Sequence, residues 1–295
     1  MSKFRIQMAR RQGERKTKEK GYDAFPVDPF AIAESEDIFV EPKDPGRVGV
    51  SGGIIFHDES VGIFYATDIK SEGFRRFTVA HELGHYFLEG HPEEILKTAP
   101  IHMSRAGFSQ GTSSIELEAD HFASGLLMPS ILVGKALGGS RVGLDGILAL
   151  SHLAECSLTA SAIRAAECCD YPMAVIVSSA DKVAYAFLSE SFKKLDKLTF
   201  FKKGMPLPKT HTLRFNADLQ NIHLARSICG QTSLAEWFSC ERQLALDEEV
   251  IGLGSYGFTL TVLSSEEMAD DPNDESYEEE LSLQKSWTPR FAYGR

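Results

Sequence analysis

The chain has 295 residues, 43% of them hydrophobic, and a formal net charge of −11. A chain of this size and composition can bury a core and suggests about two globular domains. Its longest apolar runs, such as residues 173–177, are far shorter than the roughly 18 residues of a membrane span. Its basic N-terminus lacks the apolar stretch of a secretory signal. Five cysteines without a Cys-x-x-Cys pair argue against disulfides or a cysteine zinc site. We therefore expect a cytoplasmic protein with reduced thiols and no membrane partner.

Charge is concentrated at the two ends of the sequence. Residues 1–20 hold eight Lys or Arg and two Glu, whereas residues 266–280 hold nine acids and no base. Short charge runs are typical of solvated arms, so we predict a basic flexible tail at residues 1–20 and an acidic tail at residues 266–295. The acidic segment repels phosphate, which disfavours direct binding of nucleic acid.

The first predicted elements are a short helix and a β-hairpin. The helix runs from Asp28 to about Ser35, with Pro29 in its first turn. Apolar residues 48–56 and 61–66 flank a polar turn, as in a hairpin. A hairpin strand lying along a cleft would offer free backbone groups to an extended peptide. The alternative is a hairpin that only covers the next helix, and the sequence leaves both open.

The next predicted helix carries the motif His81-Glu82-x-x-His85. Apolar residues recur at helical spacing from about Arg75 to Glu89, and positions i and i+4 share a face of a helix. His81 and His85 can therefore reach one metal ion, while Glu82 lies beside it as a base for a metal-activated water. The alternative is a core helix that carries two histidines by chance.

A third protein ligand is predicted on a following helix. Glu116 and Asp120 are again i and i+4, so Glu116 could ligate while Asp120 hydrogen-bonds the free nitrogen of a liganding histidine. Ser113 and Glu116 also form a capping-box pattern, which would turn Glu116 away from the metal and make Glu118 the next candidate. We prefer Glu116, because Glu118 is followed at i+4 by Phe122 rather than by a supporting carboxylate.

The segment between these two helices, residues 90–112, shows little periodicity. We predict a flexible connection beside the cleft. His102 within it could donate a hydrogen bond to a developing oxyanion, although a single histidine in a polar loop is more often exposed.

The sequence after Pro129 changes from a helical to a β-rich composition. Residues 131–170 predict a helical module with a helix-turn-helix outline. Its second helix offers one cation, Arg164, so we favour a packing role over DNA reading. Residues 171–265 predict a β-rich accessory or regulatory domain. Its expected elements are a hairpin of residues 173–178 and 183–188, an aromatic helix or cap at 237–242 and a strand at 256–263.

Three stretches resemble the ImmA/IrrE family of HEXXH metallopeptidases, which cleave DNA-binding repressors. These are the run Phe25-Pro26-Val27-Asp28-Pro29-Phe30-Ala31-Ile32-Ala33, the core from Arg76 to Leu88, and Glu116-x-x-Ala119-Asp120-x-Phe122-Ala123 ending at Leu127-Met128-Pro129. The resemblance covers about residues 25–130 and continues more loosely to about residue 265. It implies that His81, His85 and Glu116 match the metal ligands and that Glu82 matches the catalytic acid/base. The N-terminus shows no repressor-type DNA-binding domain, so we expect the target to be a separate protein.

Together these observations predict an α+β protein with a small zincin-like metallopeptidase domain at residues 21–130, followed by the helical module and the β-rich region. The expected activity is that of a gluzincin-like metalloendopeptidase using zinc, or another divalent ion such as Mn²⁺. By the resemblance, its substrate is a helix-turn-helix repressor in a stress or mobile-element response. A different hypothesis is a non-catalytic regulator that sequesters a partner and keeps the metal only as a structural brace.

Overall fold

The computed structural model describes residues 3–44, 49–68, 71–104, 114–254 and 257–265. The fold is mixed α+β, as predicted. Within the described residues, its first part comprises α1 Lys3–Glu19, α2 Pro29–Glu34, β1 Phe39–Lys43, β2 Gly52–His57, β3 Ser60–Ala66, α3 Glu72–Phe87, α4 His91–Leu96, β4 Ile101–Ser104 and α5 Ser114–Leu127. Its second part comprises α6 Ser130–Gly138, α7 Leu144–Ala154, α8 Leu158–Cys168, β5 Met173–Ser179, β6 Lys182–Leu188, α9 Glu190–Lys193, α10 His211–Asn216, α11 Leu219–His223, β7 Ser227–Ser233, α12 Leu234–Phe238, β8 Ala245–Gly252 and β9 Thr259–Ser264.

The N-terminal segment forms helix α1 and packs against α5, so the prediction of a flexible tail at residues 1–20 is wrong. Ala9, Gly13 and Thr17 follow one another at i, i+4 and i+8 and are buried. A Cβ added to Gly13 would lie 2.2 Å from a backbone carbonyl oxygen of α5, so the two backbones touch. The Thr17 hydroxyl also donates to the carbonyl of Leu126 at 2.7 Å. This stripe of small residues docks the helix, while most of its charged residues face solvent.

The first sheet has the strand order β1-β3-β2-β4. Strand β1 runs parallel to β3, and the other two pairs are antiparallel. The predicted hairpin is confirmed as β2 and β3. Both of its strands are interior to the sheet, so the suggestion that a substrate could add to the hairpin itself is wrong. Within the described residues, β1 and β4 are the edges.

Helices α3 and α5 bring the predicted site residues together. Ser71 caps α3 by accepting a hydrogen bond from the Phe74 amide, so the helix begins earlier than its apolar pattern suggested. Gly84 of α3 faces α5 so closely that an added Cβ would lie 3.1 Å from the Ala119 Cα atom. A glycine at this position lets the two helices approach closely. The predicted helix after Asp28 is also confirmed as α2, with Asp28 as its N-cap.

Residues 90–112 were predicted to form a flexible connection, and this prediction is wrong for much of the segment. Helix α4 and strand β4 occupy much of it, and β4 pairs with β2. Residues 105–113 lie outside the described residues, as does the Ser113 side chain of the predicted capping box.

Helices α7 and α8 follow each other with a bend of 115°, as in a helix-turn-helix. Arg164 of α8 is 2% exposed and donates to the Met128 carbonyl at 2.7 Å. It also pairs with Glu14 and Glu167 at 3.1 and 2.8 Å. The one cation predicted for a DNA-reading helix is therefore committed to packing. No single described helix has the length and apolar character to cross a membrane, although α7 and α8 taken together pass on length and composition alone.

The second sheet is antiparallel, with the order β6-β5-β9-β8-β7. It confirms the predicted β5–β6 hairpin and the strand β9, whereas helix α12 ends at Phe238, so most of the aromatic helix predicted at 237–242 is not helical. One hydrophobic core contains Leu126 of α5, Ile147 of α7 and Val175 of β5. The core therefore continues across the predicted boundaries near residues 130 and 170. The predicted acidic tail lies outside the described residues.

Candidate metal centre

Two histidines of α3 and one carboxylate of α5 face a common point. His81 and His85 are at most 1% exposed, and their Nε2 atoms are 3.1 Å apart. The Glu116 carboxylate oxygens lie 3.4 Å from Nε2 of His81 and 3.2 Å from Nε2 of His85. Ligand atoms about 2.0–2.1 Å from a tetrahedral zinc ion are roughly 3.3–3.4 Å from one another. The three side chains therefore fit a single divalent ion.

Glu116, rather than Glu118, meets the two histidines. Glu118 points to another face of α5 and is 5% exposed. It accepts hydrogen bonds from the Ser114 hydroxyl at 2.8 Å and from the Arg5 guanidinium at 3.0 Å. The preference for Glu116 agrees with this geometry. Glu118 instead contacts Arg5 and Ser114 next to the site.

Asp120 lies where the i, i+4 pattern predicted it. Its Oδ1 atom is 2.8 Å from Nδ1 of His81. A histidine that donates from Nδ1 presents an unprotonated Nε2 to the ion. Asp120 therefore fixes both the orientation of the His81 ring and the nitrogen available as a ligand.

His91 is a site residue that sequence reasoning missed. Its Nδ1 atom is 3.2 Å from Nδ1 of His85, and its Nε2 atom is 3.5 Å from the Glu118 carboxylate. The available signal was Pro92 followed by two acids, which is typical of a helix start. That start places His91 in the first turn of α4, facing the helix that bears His85.

His102 reaches the site from strand β4. Its Nε2 atom donates to the Glu116 carboxylate at 2.7 Å. Burial acts to lower the pKa of His102, but the adjacent Glu116 carboxylate outweighs it and raises the pKa. The structure thus brings the predicted oxyanion donor to the site, where its hydrogen bond orients Glu116.

Glu82 is buried beside the ligands without a partner. Its side chain is 0% exposed, and neither carboxylate oxygen has a hydrogen-bond partner among the described residues. Burial raises the pKa of Glu82 to about 7, against the opposing effects of the His81 charge and the nearby Ser104 hydroxyl. Buried polar atoms are nearly always paired with protein groups or with ordered water. The unpaired Glu82 oxygens therefore fit a place for a water molecule next to the ligands.

The electrostatics of the three ligands depend on their neighbours. Burial lowers the pKa of His85 to about 3. Burial also opposes protonation of His81, but Asp120 and Glu116 together raise its pKa to about 10. Burial acts to raise the pKa of Glu116, yet its hydrogen bonds to the histidines bring that pKa well below the usual range. Glu116 is therefore an ionised ligand and His85 a neutral one.

A cavity of about 580 Å³ lies next to this cluster. It is bounded by α1, α4, β4 and α5. Its described lining includes polar Arg5, His91, Glu94 and His102 together with Ile95, Ile101 and Ile115. The cavity therefore borders His91 and His102, which contact the ligands, whereas its described lining does not include His81, His85 or Glu116 themselves.

Residues 45–160 match the family model of the IrrE N-terminal-like domain, Peptidase_M78. This segment is similar to the IrrE N-terminal-like domain. It contains α3 and α5 with His81, Glu82, His85, Glu116 and Asp120. The resemblance to the ImmA/IrrE family that the motifs indicated is thereby confirmed.

The fold of the chain, including this segment, is similar to that of a solved structure. A Mycobacterium tuberculosis transcriptional regulator aligns with a TM-score of 0.54 and 14% sequence identity, covering 90% of this chain and 82% of that regulator. At this identity the likeness shows the fold alone. A search of the curated proteins gives no significant match. Helix α1, with Arg5, lies outside the segment matched to the IrrE N-terminal-like domain.

Proposed function

We propose that this protein is a zinc-dependent endopeptidase that hydrolyses a peptide bond in a protein substrate. One observation carries the proposal. Two imidazoles and a carboxylate converge at the separations of tetrahedral ligands, and neither oxygen of the buried Glu82 carboxylate has a hydrogen-bond partner among the described residues. A site that only braced two helices would gain nothing from an unpaired buried acid, which costs free energy. This argument favours the enzyme over the metal-braced, non-catalytic regulator.

Each residue has a role that follows from its position. His81, His85 and Glu116 hold the ion. A zinc ion there supplies Lewis-acid chemistry, lowering the pKa of a water to about 7 and polarising a carbonyl group. Glu82 accepts the proton of the attacking water and later delivers it to the leaving amine.

Strand β4 is the proposed docking strand for the substrate. It forms one edge of the first sheet within the described residues, and an extended peptide can add to such an edge through backbone hydrogen bonds. His102 projects from β4 towards Glu116, which places the edge beside the ligands. Ile101 and Met103 alternate with it and are 45% and 47% exposed.

A DNA-binding repressor is the proposed class of substrate, cleaved in the cytoplasm during a stress or mobile-element response. The support comes from the ImmA/IrrE resemblance of the motifs and from the domain match. The fold shared with a transcriptional regulator is compatible with a role in gene control. The same site would accept Mn²⁺ through its nitrogen and oxygen ligands.

The proposal is tested by substituting Glu82→Gln, with Glu89→Gln as the control because Glu89 is exposed on the same segment. Zinc-loaded full-length proteins are incubated with a host lysate, and new protein N-termini are counted by mass spectrometry. We expect cleavage by the wild type and the control. We expect roughly a 10²–10⁴-fold lower rate for Glu82→Gln, with zinc still bound.

A chelator arm separates the alternatives. Zinc-dependent new N-termini in a repressor support the proposal. Equal cleavage by Glu82→Gln, or cleavage that persists after complete zinc removal, would contradict it. A stable repressor complex without fragments would favour the sequestering regulator instead.

A further inference from the structure

Helix α1 is connected to the metal centre by a line of polar contacts. Arg5 donates to the Glu118 carboxylate at 3.0 Å. Glu118 lies 3.5 Å from Nε2 of His91, and Nδ1 of His91 lies 3.2 Å from Nδ1 of His85. The line therefore runs from the first turn of the first described helix to a ligand of the proposed ion.

The direction of the hydrogen bonds follows from the ligand. Nε2 of His85 faces Glu116 and His81, so this nitrogen must present a lone pair to an ion. The hydrogen of a neutral His85 ring is then on Nδ1. The facing nitrogen of His91 must therefore be an acceptor. His91 accepts through its own Nδ1, which places its hydrogen on Nε2 towards Glu118. A carboxylate at that end is the group that stabilises this tautomer.

Glu118 depends on α1 for its own stability. Its carboxylate is 5% exposed, and a buried carboxylate is costly unless it is paired. Ser114 of the same helix supplies one donor at 2.8 Å. Arg5 supplies another donor and the balancing charge, from a position that is 113 residues away in the sequence. The stripe of Ala9, Gly13 and Thr17 holds α1 in register on α5.

We propose that Arg5, Glu118 and His91 are positioning residues for His85, so that α1 is a functional part of the metal centre. This inference rests on the metal site of the proposed function. It extends that site beyond the segment matched to the IrrE N-terminal-like domain. The two histidine ligands are thus supported differently. A carboxylate contacts His81 directly, whereas His85 is supported by an imidazole that a carboxylate and a guanidinium orient in turn.

The first test measures zinc affinity of the full-length protein by competition with a chromogenic chelator. We expect His91→Phe to weaken zinc binding about 10–100-fold, as is typical for the partner of a liganding histidine. Arg5→Gln should weaken it by about threefold to tenfold, because two side chains intervene. His57→Phe and Arg11→Gln are the matched controls, since both residues are exposed, and should leave zinc affinity unchanged.

The second test asks whether the residues act as one line. In a His91→Phe background the connection is already broken, so Arg5→Gln should add no further loss of zinc affinity. His91→Asn provides the rescue, because its Oδ1 atom can replace the acceptor Nδ1. We expect His91→Asn to bind zinc within about threefold of the wild type and to be insensitive to Arg5→Gln.

A spectroscopic measurement reports on the same point without activity. In ¹⁵N-histidine NMR spectra of the zinc-loaded protein, His85 should carry its hydrogen on Nδ1 and His91 on Nε2. Additive losses in the double variant, zinc affinities of His91→Phe and Arg5→Gln within twofold of the wild type, or the opposite His91 tautomer would overturn this inference. Failure of the wild type to bind zinc at all would instead overturn the proposed function. If the chelator-treated variants unfold at the same urea concentration as the wild type, their losses of zinc affinity are not due to misfolding.

Discussion

The protein contains two buried polar clusters that differ in how their atoms are paired. In the metal centre, nitrogen and oxygen acceptors of His81, His85 and Glu116 converge, and the Glu82 oxygens have no partner among the described residues. In the second sheet, Oε1 of Glu248 accepts from the amide and hydroxyl of Thr212 at 2.7 and 2.8 Å, and only its Oε2 atom is without a partner among the described residues.

The second cluster continues as an alternation of donors and acceptors. The Thr212 and Thr261 hydroxyls are 2.8 Å apart. Nearby, the Thr259 hydroxyl donates to the Asn216 side chain at 2.7 Å, and Asn216 donates to the Ala180 carbonyl at 2.8 Å. A buried cluster in which most acceptors meet a donor stabilises a fold. A cluster in which acceptors converge needs a cation or a water to complete it, and this distinguishes a site from a structural network.

The largest expected difference between the clusters is in zinc affinity. Structural zinc sites contribute about 10–16 kcal/mol over four ligands, so the loss of one ligand corresponds to about 2.5–4 kcal/mol, or roughly 70- to 800-fold in Kd. We expect this loss for Glu116→Gln and a change of less than about twofold for Glu248→Gln, both measured by chelator competition. Comparable losses in the two variants would erase the distinction.

The pH dependence of stability provides the next contrast. In metal-free protein the pKa of Glu82 is raised from 4.5 to about 7. Between these two pH values the folded state keeps a proton that the unfolded chain has released. The contribution of Glu82 to the free energy of unfolding therefore falls as pH rises from 4.5 to 7. Replacing it by Gln should remove about 3 kcal/mol of this fall.

Urea unfolding in EDTA at several values between pH 4.5 and 8 measures that effect. The difference between Glu82→Gln and wild type should grow with pH and level off above 7. Glu89→Gln should track the wild type throughout. Parallel curves for Glu82→Gln and wild type would show that Glu82 titrates normally and would weaken its role as a base.

The smallest expected effect is a local loss of stability in the second cluster. Thr212→Val removes a hydroxyl that links Glu248 to Thr261 and should lower the free energy of unfolding by about 1–3 kcal/mol. Zinc affinity should stay the same. Thr199→Val is the control, because Thr199 is exposed. A change in zinc affinity for Thr212→Val would mean that the two clusters are coupled.

The residues of the site that lie on one helix were predictable, because i, i+4 spacing is a local property. His81 with His85 and Glu116 with Asp120 follow from this spacing alone. The choice between Glu116 and Glu118 needed the packing of α5 on α3. That packing depends on close approach at Gly84.

The rest of the site depends on contacts between distant segments. Arg5 and Glu118 are 113 residues apart, and charge alone suggested that the segment bearing Arg5 was a solvated tail. The location of β4 at a sheet edge arises from its pairing with β2, which no local pattern indicates. His91 had a helix-start signal, but the direction it faces is set by the turn at Gly90.

The small-residue seam between α1 and α5 also determines where the chain can be shortened. Composition alone would place a domain boundary at residue 21. Removing the residues before it would expose the backbone around Gly125 and remove Arg5, which pairs with Glu118. Such a fragment would retain the whole HEXXH segment and its carboxylate ligand. It would nevertheless have an exposed groove prone to self-association, so a shortened protein should keep helix α1.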